Sequence, residues 1–256
     1  MITTEVPKNW RHLQNMVAEI LSECGFVVEV EKTIETVRGT VEIDVYAEEE
    51  IMGRKNIIIC ECKLWKQKIP KTVVHSFRTV LSDFGANAGY IISSKGYQKG
   101  AYEAAQYTNT NLMSWEQFQI TFEEFWYRNY FQKKITKELD SFFEYTEPFL
   151  PRWVDKLSQE EKSGYFALKE KYDLFGQIMM MFTSHFSTLL SMKGILSGKV
   201  DMIPLPIKNI TNYQNLYIPN EIEAILTYRE FLNFIIEYGK NAINEFRYYR
   251  DLANSR

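Results

Sequence analysis

The residues best placed to do chemistry are two acids and a lysine. In the run Ile57-Ile58-Ile59-Cys60-Glu61-Cys62-Lys63 an acid and an amine stand two residues apart inside an apolar stretch. Residues i and i+2 of a strand share a face, so Ile57, Ile59, Glu61 and Lys63 point one way and Ile58, Cys60 and Cys62 the other. Both faces are apolar, which predicts a central strand covered on both sides. Ionisable groups are costly to bury there without partners. They form either a structural ion pair or a site for a metal ion and a phosphate.

The segment upstream, Val41-Glu42-Ile43-Asp44-Val45-Tyr46, alternates strictly. That predicts a half-buried strand with Val41, Ile43 and Val45 on one face and Glu42, Asp44 and Tyr46 on the other. A hairpin turning near Met52-Gly53 would pair residues whose numbers sum to about 105, which sets Asp44 opposite Glu61. Directly opposed side chains lie about 5 Å apart at Cβ, and two carboxylates that close repel unless a proton or cation lies between them. Mg2+ suits such a place, because it takes one or two carboxylates, keeps several waters and leaves room for a phosphate oxygen. An ion there would polarise a phosphodiester, and Lys63 would hold an attacking water or balance transition-state charge.

Asp44 followed by a turn and then Glu61-Cys62-Lys63 resembles the PD-(D/E)xK nuclease signature, and the sequence around it is similar to the Mrr-like restriction endonuclease family. Leu13-Gln14-Asn15-Met16-Val17-Ala18-Glu19-Ile20-Leu21, followed by Gly25-Phe26, resembles that family's first helix and its entry into the first strand. Ala88-Gly89-Tyr90-Ile91-Ile92-Ser93-Ser94, with Gly96-Tyr97 and Gly100-Ala101, resembles its later strand and helix. The similarity covers roughly residues 1–118, in order and with family-like spacing. It implies Asp44 and Glu61 as ligands of Mg2+ (or Mn2+) and Lys63 as catalytic. Many members carry a glutamate where this chain has Gln14, so Gln14 would either touch the metal or orient water.

These residues need elements to hold them. Pro7 to Glu23 reads as a helix ending at Gly25, Phe26 to Val30 as a first strand, and Pro70 to Phe84 as a helix with an inner stripe of Val73, Val74, Phe77 and Leu81. Gly89 to Ser93 reads as a buried strand, Gln98 to Tyr107 as a helix and Asn111 to Trp115 as a closing strand. An initial hairpin followed by alternating helices and strands predicts an α/β fold, a restriction-endonuclease-like mixed sheet flanked by helices. Beyond it, residues 119–256 read as an all-α C-terminal domain serving recognition, assembly or regulation. Within it Phe118 to Glu147 is helical and aromatic, and Pro148 and Pro151 end that stretch. Ser158-Gln159-Glu160-Glu161 is a capping box opening a helix toward Leu196, Val200 to Pro219 is a connector, and Asn220 to Glu223 caps a helix toward Leu252. The aromatics Phe125, Trp126, Tyr127, Tyr130 and Phe131 suit base stacking, a core or a dimer seam.

Composition adds bounds. A net charge of −3 over 256 residues gives no global basic signature, yet Arg54, Lys55, Lys63, Lys66, Lys68, Lys71 and Arg78 face one acid, Glu61, within the same stretch. Lys66, Lys68, Lys71 and Arg78 are therefore candidate nucleic-acid contacts, or else a solvated face. Ser93 and Ser94 could bind a phosphate or cap the turn into Lys95-Gly96. Cys24, Cys60 and Cys62 make no disulfide framework and no zinc spacing. The first residues do not read as a signal peptide, which places the chain in a cytoplasmic setting. Leu174 to Met192 reads as a buried helix, with no membrane span. His12, His75 and His185 stand singly.

Together these observations point to a metal-dependent endonuclease acting on DNA, with the resemblance adding restriction or phage defence. The alternative is a non-catalytic nucleic-acid-binding or partner-assembled subunit that keeps the fold. DNA is the expected partner, and a homodimer or a protein partner is open. An unregulated nuclease would harm its host, so a trigger or partner is expected as well.

Overall fold

The computed structural model describes residues 1–183, 202–207 and 219–255. The chain divides into two compact units, Met1–Asn129 and Tyr130–Arg256.

The first unit opens with α1, Trp10–Cys24, and both of its ends are explained by sequence. The Asn9 side chain accepts the His12 N–H at 2.8 Å, and Gly25 adopts φ 106° while donating to the Leu21 and Ser22 carbonyls. Only glycine takes that left-handed conformation at little cost. Strands β1 (Val27–Thr36), β2 (Gly39–Ile51) and β3 (Arg54–Lys63) follow as an antiparallel meander. Then come α2 (Lys71–Phe84), β4 (Ala88–Ser93), α3 (Lys99–Ala105), β5 (Thr110–Met113) and α4 (Trp115–Trp126). β4 joins β3 in parallel and β5 joins β4 in parallel, so the five-stranded mixed sheet has the order β1-β2-β3-β4-β5. The expected architecture is present, with β1, β2 and β3 longer than the periodicity suggested.

Helices cover both faces. α1 packs on β1, β2, β3 and α4, while α2 packs on β1, β4 and α3. Val74, Phe77 and Leu81 of α2 join Ile59, Ile91, Ile69 and Ala101 in one buried cluster. On the other side Tyr90 meets the rings of Phe118 and Phe122 edge-on. This contact explains why α4 belongs with the sheet.

One expectation about faces does not hold. Val41 and Ile43 were placed opposite Tyr46, yet Ile43 and Tyr46 share the α2-side cluster and Val41 packs against it. The register on either side is unchanged, Val30↔Val45 and Lys32↔Ile43. Between them Glu31 takes φ 54°. The ladder skips Glu31 and Asp44, so the left-handed backbone lies across from the point where the alternation of β2 breaks. Asp44 sits at this changeover. Beyond it the β1–β2 turn curls toward α2, where Arg38 pairs with Asp83 at 3.2 Å.

The second unit is helical. A π-helical turn, Tyr127–Phe131, spans the boundary and leads into α5, Gln132–Thr146. A 3-10 turn (Arg152–Lys156), α6 (Gln159–Met181), a short α7 (Asn220–Glu223) and α8 (Tyr228–Asn254) follow. The capping box is formed: the Ser158 side chain accepts from the Glu161 N–H, and the Glu161 carboxylate accepts from the Ser158 N–H at 2.7 Å. α5, α6 and α8 pack against one another around Phe142, Tyr172, Phe175 and Phe246, with Tyr145 stacked on Phe246. Trp153 packs edge-on against Tyr165. Lys169, 7% exposed, holds the end of α5 by donating to the Tyr145 and Glu147 carbonyls at 2.9 Å and to Asp173 at 3.0 Å. Trp126, Tyr127 and Phe131 are fully buried, so they serve packing rather than base stacking. The second half of the apolar stretch after Leu174, most of the connector and His185 lie outside the described residues. Among the described residues no helix is long and apolar enough to cross a membrane.

Candidate active site

The hairpin register brings the two acids together. Val45 pairs with Cys60, and continuing that register by one residue sets Asp44 against Glu61. Asp44 Oδ2 accepts the Cys62 backbone N–H at 2.7 Å. A side-chain carboxylate thus satisfies a strand donor beyond the last backbone pair, and this fixes where Asp44 points. Glu61 and Lys63 form a direct ion pair, with side chains 23% and 19% exposed. β4 supports the same end of β3 through Glu61↔Ile91 and Lys63↔Ser93.

The electrostatics follow from this crowding. Burial, and then the charge of Asp44, raise the Glu61 carboxyl above its ordinary value, with the Lys63 ammonium opposing. For Lys63, burial works against the charge, but Glu61 and Asp44 outweigh it and raise the amine's proton affinity. Lys63 therefore remains an ammonium at neutral pH. The neighbouring thiols are held in their neutral form, since burial and nearby carboxylates push Cys60 and Cys62 upward. They are inert packing groups here.

Two residues beyond Lys63, the Trp65 ring lies 5.7 Å from its Nζ and is 38% exposed. The loop carrying Trp65 is pinned from below: Ser94 N–H donates to the Lys63 carbonyl at 3.3 Å and Ser94 Oγ to the Trp65 carbonyl at 3.2 Å. Ser93 Oγ donates to the Gly96 carbonyl and accepts from the Lys95 N–H. Both serines therefore hold turns.

Gln14 lies on α1, 1% exposed, and its Oε1 has no hydrogen-bond partner among the described residues. A buried acceptor without a donor calls for a water or a cation. Glu42 faces solvent. Lys66, Lys68 and Lys71 are exposed, the first two on the loop leaving Lys63 and the third opening α2. Arg78 stands two turns along that helix, half-buried, and donates to the Ala104 carbonyl at 2.8 Å. His12 is a structural residue whose Nδ1 accepts from the Lys8 N–H. Among the described residues no group of three or more histidine, cysteine or acidic side chains is arranged to hold a metal. Protein ligation would come from two carboxylates, a donor set that suits Mg2+ with its retained waters.

A mixed sheet entered through a helix and a meander, with an acid and a lysine at the end of its central strand and a second acid beside them on the neighbouring strand, defines a restriction-endonuclease-like α/β fold. The family profile Mrr_cat, restriction endonuclease, matches residues 8–136, about half of the chain. The chain belongs to this family. No curated protein matches it. Among solved structures it is similar to a protein of unknown function, AF1548, at 21% identity and a TM-score of 0.36, over 42% of this chain and 59% of that one.

Proposed function

We propose that this chain is a metal-dependent endodeoxyribonuclease that hydrolyses phosphodiester bonds in DNA, serving restriction or phage defence. The observation that carries the reading is the meeting of Asp44, Glu61 and Lys63 at one strand end, inside the segment shared with the restriction endonuclease family. Mg2+ is typical of PD-(D/E)xK nucleases, and the residues fit it. Two carboxylates crowd each other, and a buried Gln14 oxygen lacks a donor among the described residues. Asp44 and Glu61 would hold the ion, Mn2+ serving equally, and when bound it supplies Lewis-acid polarisation of the phosphodiester and counter-charge for the leaving oxygen.

The chain's own groups do the rest. Lys63, an ammonium at neutral pH, orients the attacking water and balances charge growing on the phosphate. Glu61 is its present partner, so a Glu61 engaged elsewhere leaves Lys63 free for the substrate. Gln14 orients a water, while Trp65 shields the amine from bulk solvent. Lys66, Lys68, Lys71 and Arg78 bind the DNA backbone. The helical unit serves recognition, assembly or regulation.

The test is cleavage of supercoiled plasmid, unmodified and methylated, with Mg2+, Mn2+ or EDTA, alongside RNA of matched length. Wild type is expected to nick DNA only with metal, and Lys63→Ala to lose at least about 100-fold in rate. Equal cutting by Lys63→Ala, or cutting in EDTA, would sink the proposal. Preferential loss of the RNA would move the substrate from DNA to RNA.

A further inference from the structure

α2 buries Val74, Phe77 and Leu81 and turns its other side to solvent. There Lys71, His75, Arg78 and Ser82 recur at spacings of four, three and four, which align them in one stripe. The stripe begins beside the loop leaving Lys63 and runs about 16 Å along the helix. It ends in a cleft of about 620 Å³, walled by His75, Arg78, Ser82 and Asp83 of α2, by Arg38 of the β1–β2 turn, and by Tyr107 after α3.

The cleft's charges are not all cancelled. Arg38 meets Asp83 at 3.2 Å, so that acid is neutralised. Arg78 gives one N–H to a backbone carbonyl and has no carboxylate partner among the described residues. Tyr107 is 96% exposed and takes φ 60°, a conformation unfavourable for a bulky residue. Its ring stands open to stack on a base or sugar.

We infer that this cleft binds phosphate esters, with Arg78 on the phosphate and Tyr107 against the attached nucleoside, and that its occupant is the nucleic-acid strand leaving the active site along α2. At 3.4 Å per nucleotide, the stripe spans about five nucleotides. The inference rests on the proposed DNA substrate. It differs in needing no cleavage, so binding is the readout.

The experiment is fluorescence anisotropy of a fluorescein-labelled duplex in EDTA over a salt series, with AMP titrated separately and followed by NMR. Arg78→Gln keeps a donor for the Ala104 carbonyl and should lower the slope of log K against log salt by about 1, weakening binding about tenfold at 0.1 M salt. Ser82→Lys, at an exposed position, should raise the slope by a similar amount, so a folding defect in the first variant does not decide the matter. Unchanged slopes in both variants, with AMP unable to perturb Tyr107, would overturn the inference. AMP binding that is lost in Arg78→Gln while duplex slopes stay fixed would support the phosphate-ester site and assign it to a free nucleotide. Both slope changes in the variants, with a wild type that binds duplex yet never cuts, would support the cleft and count against the nuclease reading alone.

Discussion

Glu61 is destabilising where it stands once it ionises, so its contribution depends on pH. Folding raises its proton affinity through burial and the nearby Asp44 charge. The folded state thus holds the proton more tightly than the unfolded one, and stability falls as pH rises from about 4.3, the ordinary glutamate value, through the raised folded value. Glu61→Gln removes the titrating carboxyl. In EDTA the melting temperature of that variant should fall less than that of wild type between pH 4 and pH 7. Differential scanning calorimetry at both pH values checks this, and an equal fall in the two proteins would contradict it. The cysteines make a second residue-scale prediction. All three are buried, and burial pushes Cys24 up to about 12 and the other two upward as well. At pH 8 the folded protein should leave a thiol-reactive disulfide reagent uncoloured, with three thiols released only in denaturant.

At the scale of elements, close packing fixes β4 against α2. A Cβ built at Gly89 would fall onto Leu81 Cδ1 and Phe77 Cε1. Gly89→Ala should therefore cost about 1–3 kcal/mol, the usual penalty of overpacking a core, read as a lowered urea midpoint. A midpoint equal to wild type would mean that α2 moves away freely. The same elements tell what the sequence could and could not disclose. Period-two patterning and a short hairpin determine that Asp44 approaches Glu61, since one register buries Val45 against Cys60 and a one-residue slip would expose it. The face change between Ile43 and Tyr46 was not legible. It coincides with the left-handed backbone of Glu31 across the ladder, and hydrophobic pattern carries no record of a single φ. Nor was Arg38 foreseeable as a neighbour of Asp83, because that contact depends on how the turn curls. Gln14 was readable as a candidate, while its unpartnered oxygen needed coordinates.

For the molecule as a whole, the limit of the sheet-bearing unit is Asn129. The motifs that carry the resemblance run out near residue 118, whereas the family profile extends to residue 136 and takes in the whole of α4. Phe122 and Trp126 complete the α1 side: Phe122 packs on Tyr90, and Trp126 Nε1 donates to Glu23 at 2.6 Å. A fragment of residues 1–129 should unfold cooperatively in urea, whereas one ending at 118 should give a broad, weak transition. Matching curves would show that α4 is dispensable to that core. Of the five tryptophans, four fall at Trp10, Trp65, Trp115 and Trp126, leaving Trp153 as the sole indole of the helical unit. Its edge-on seat beside Tyr165 has an optical consequence. With the other four replaced by phenylalanine, emission from this single chromophore would follow the melting of one half of the chain alone, and comparison with far-ultraviolet dichroism would tell whether the two halves denature in one step or two.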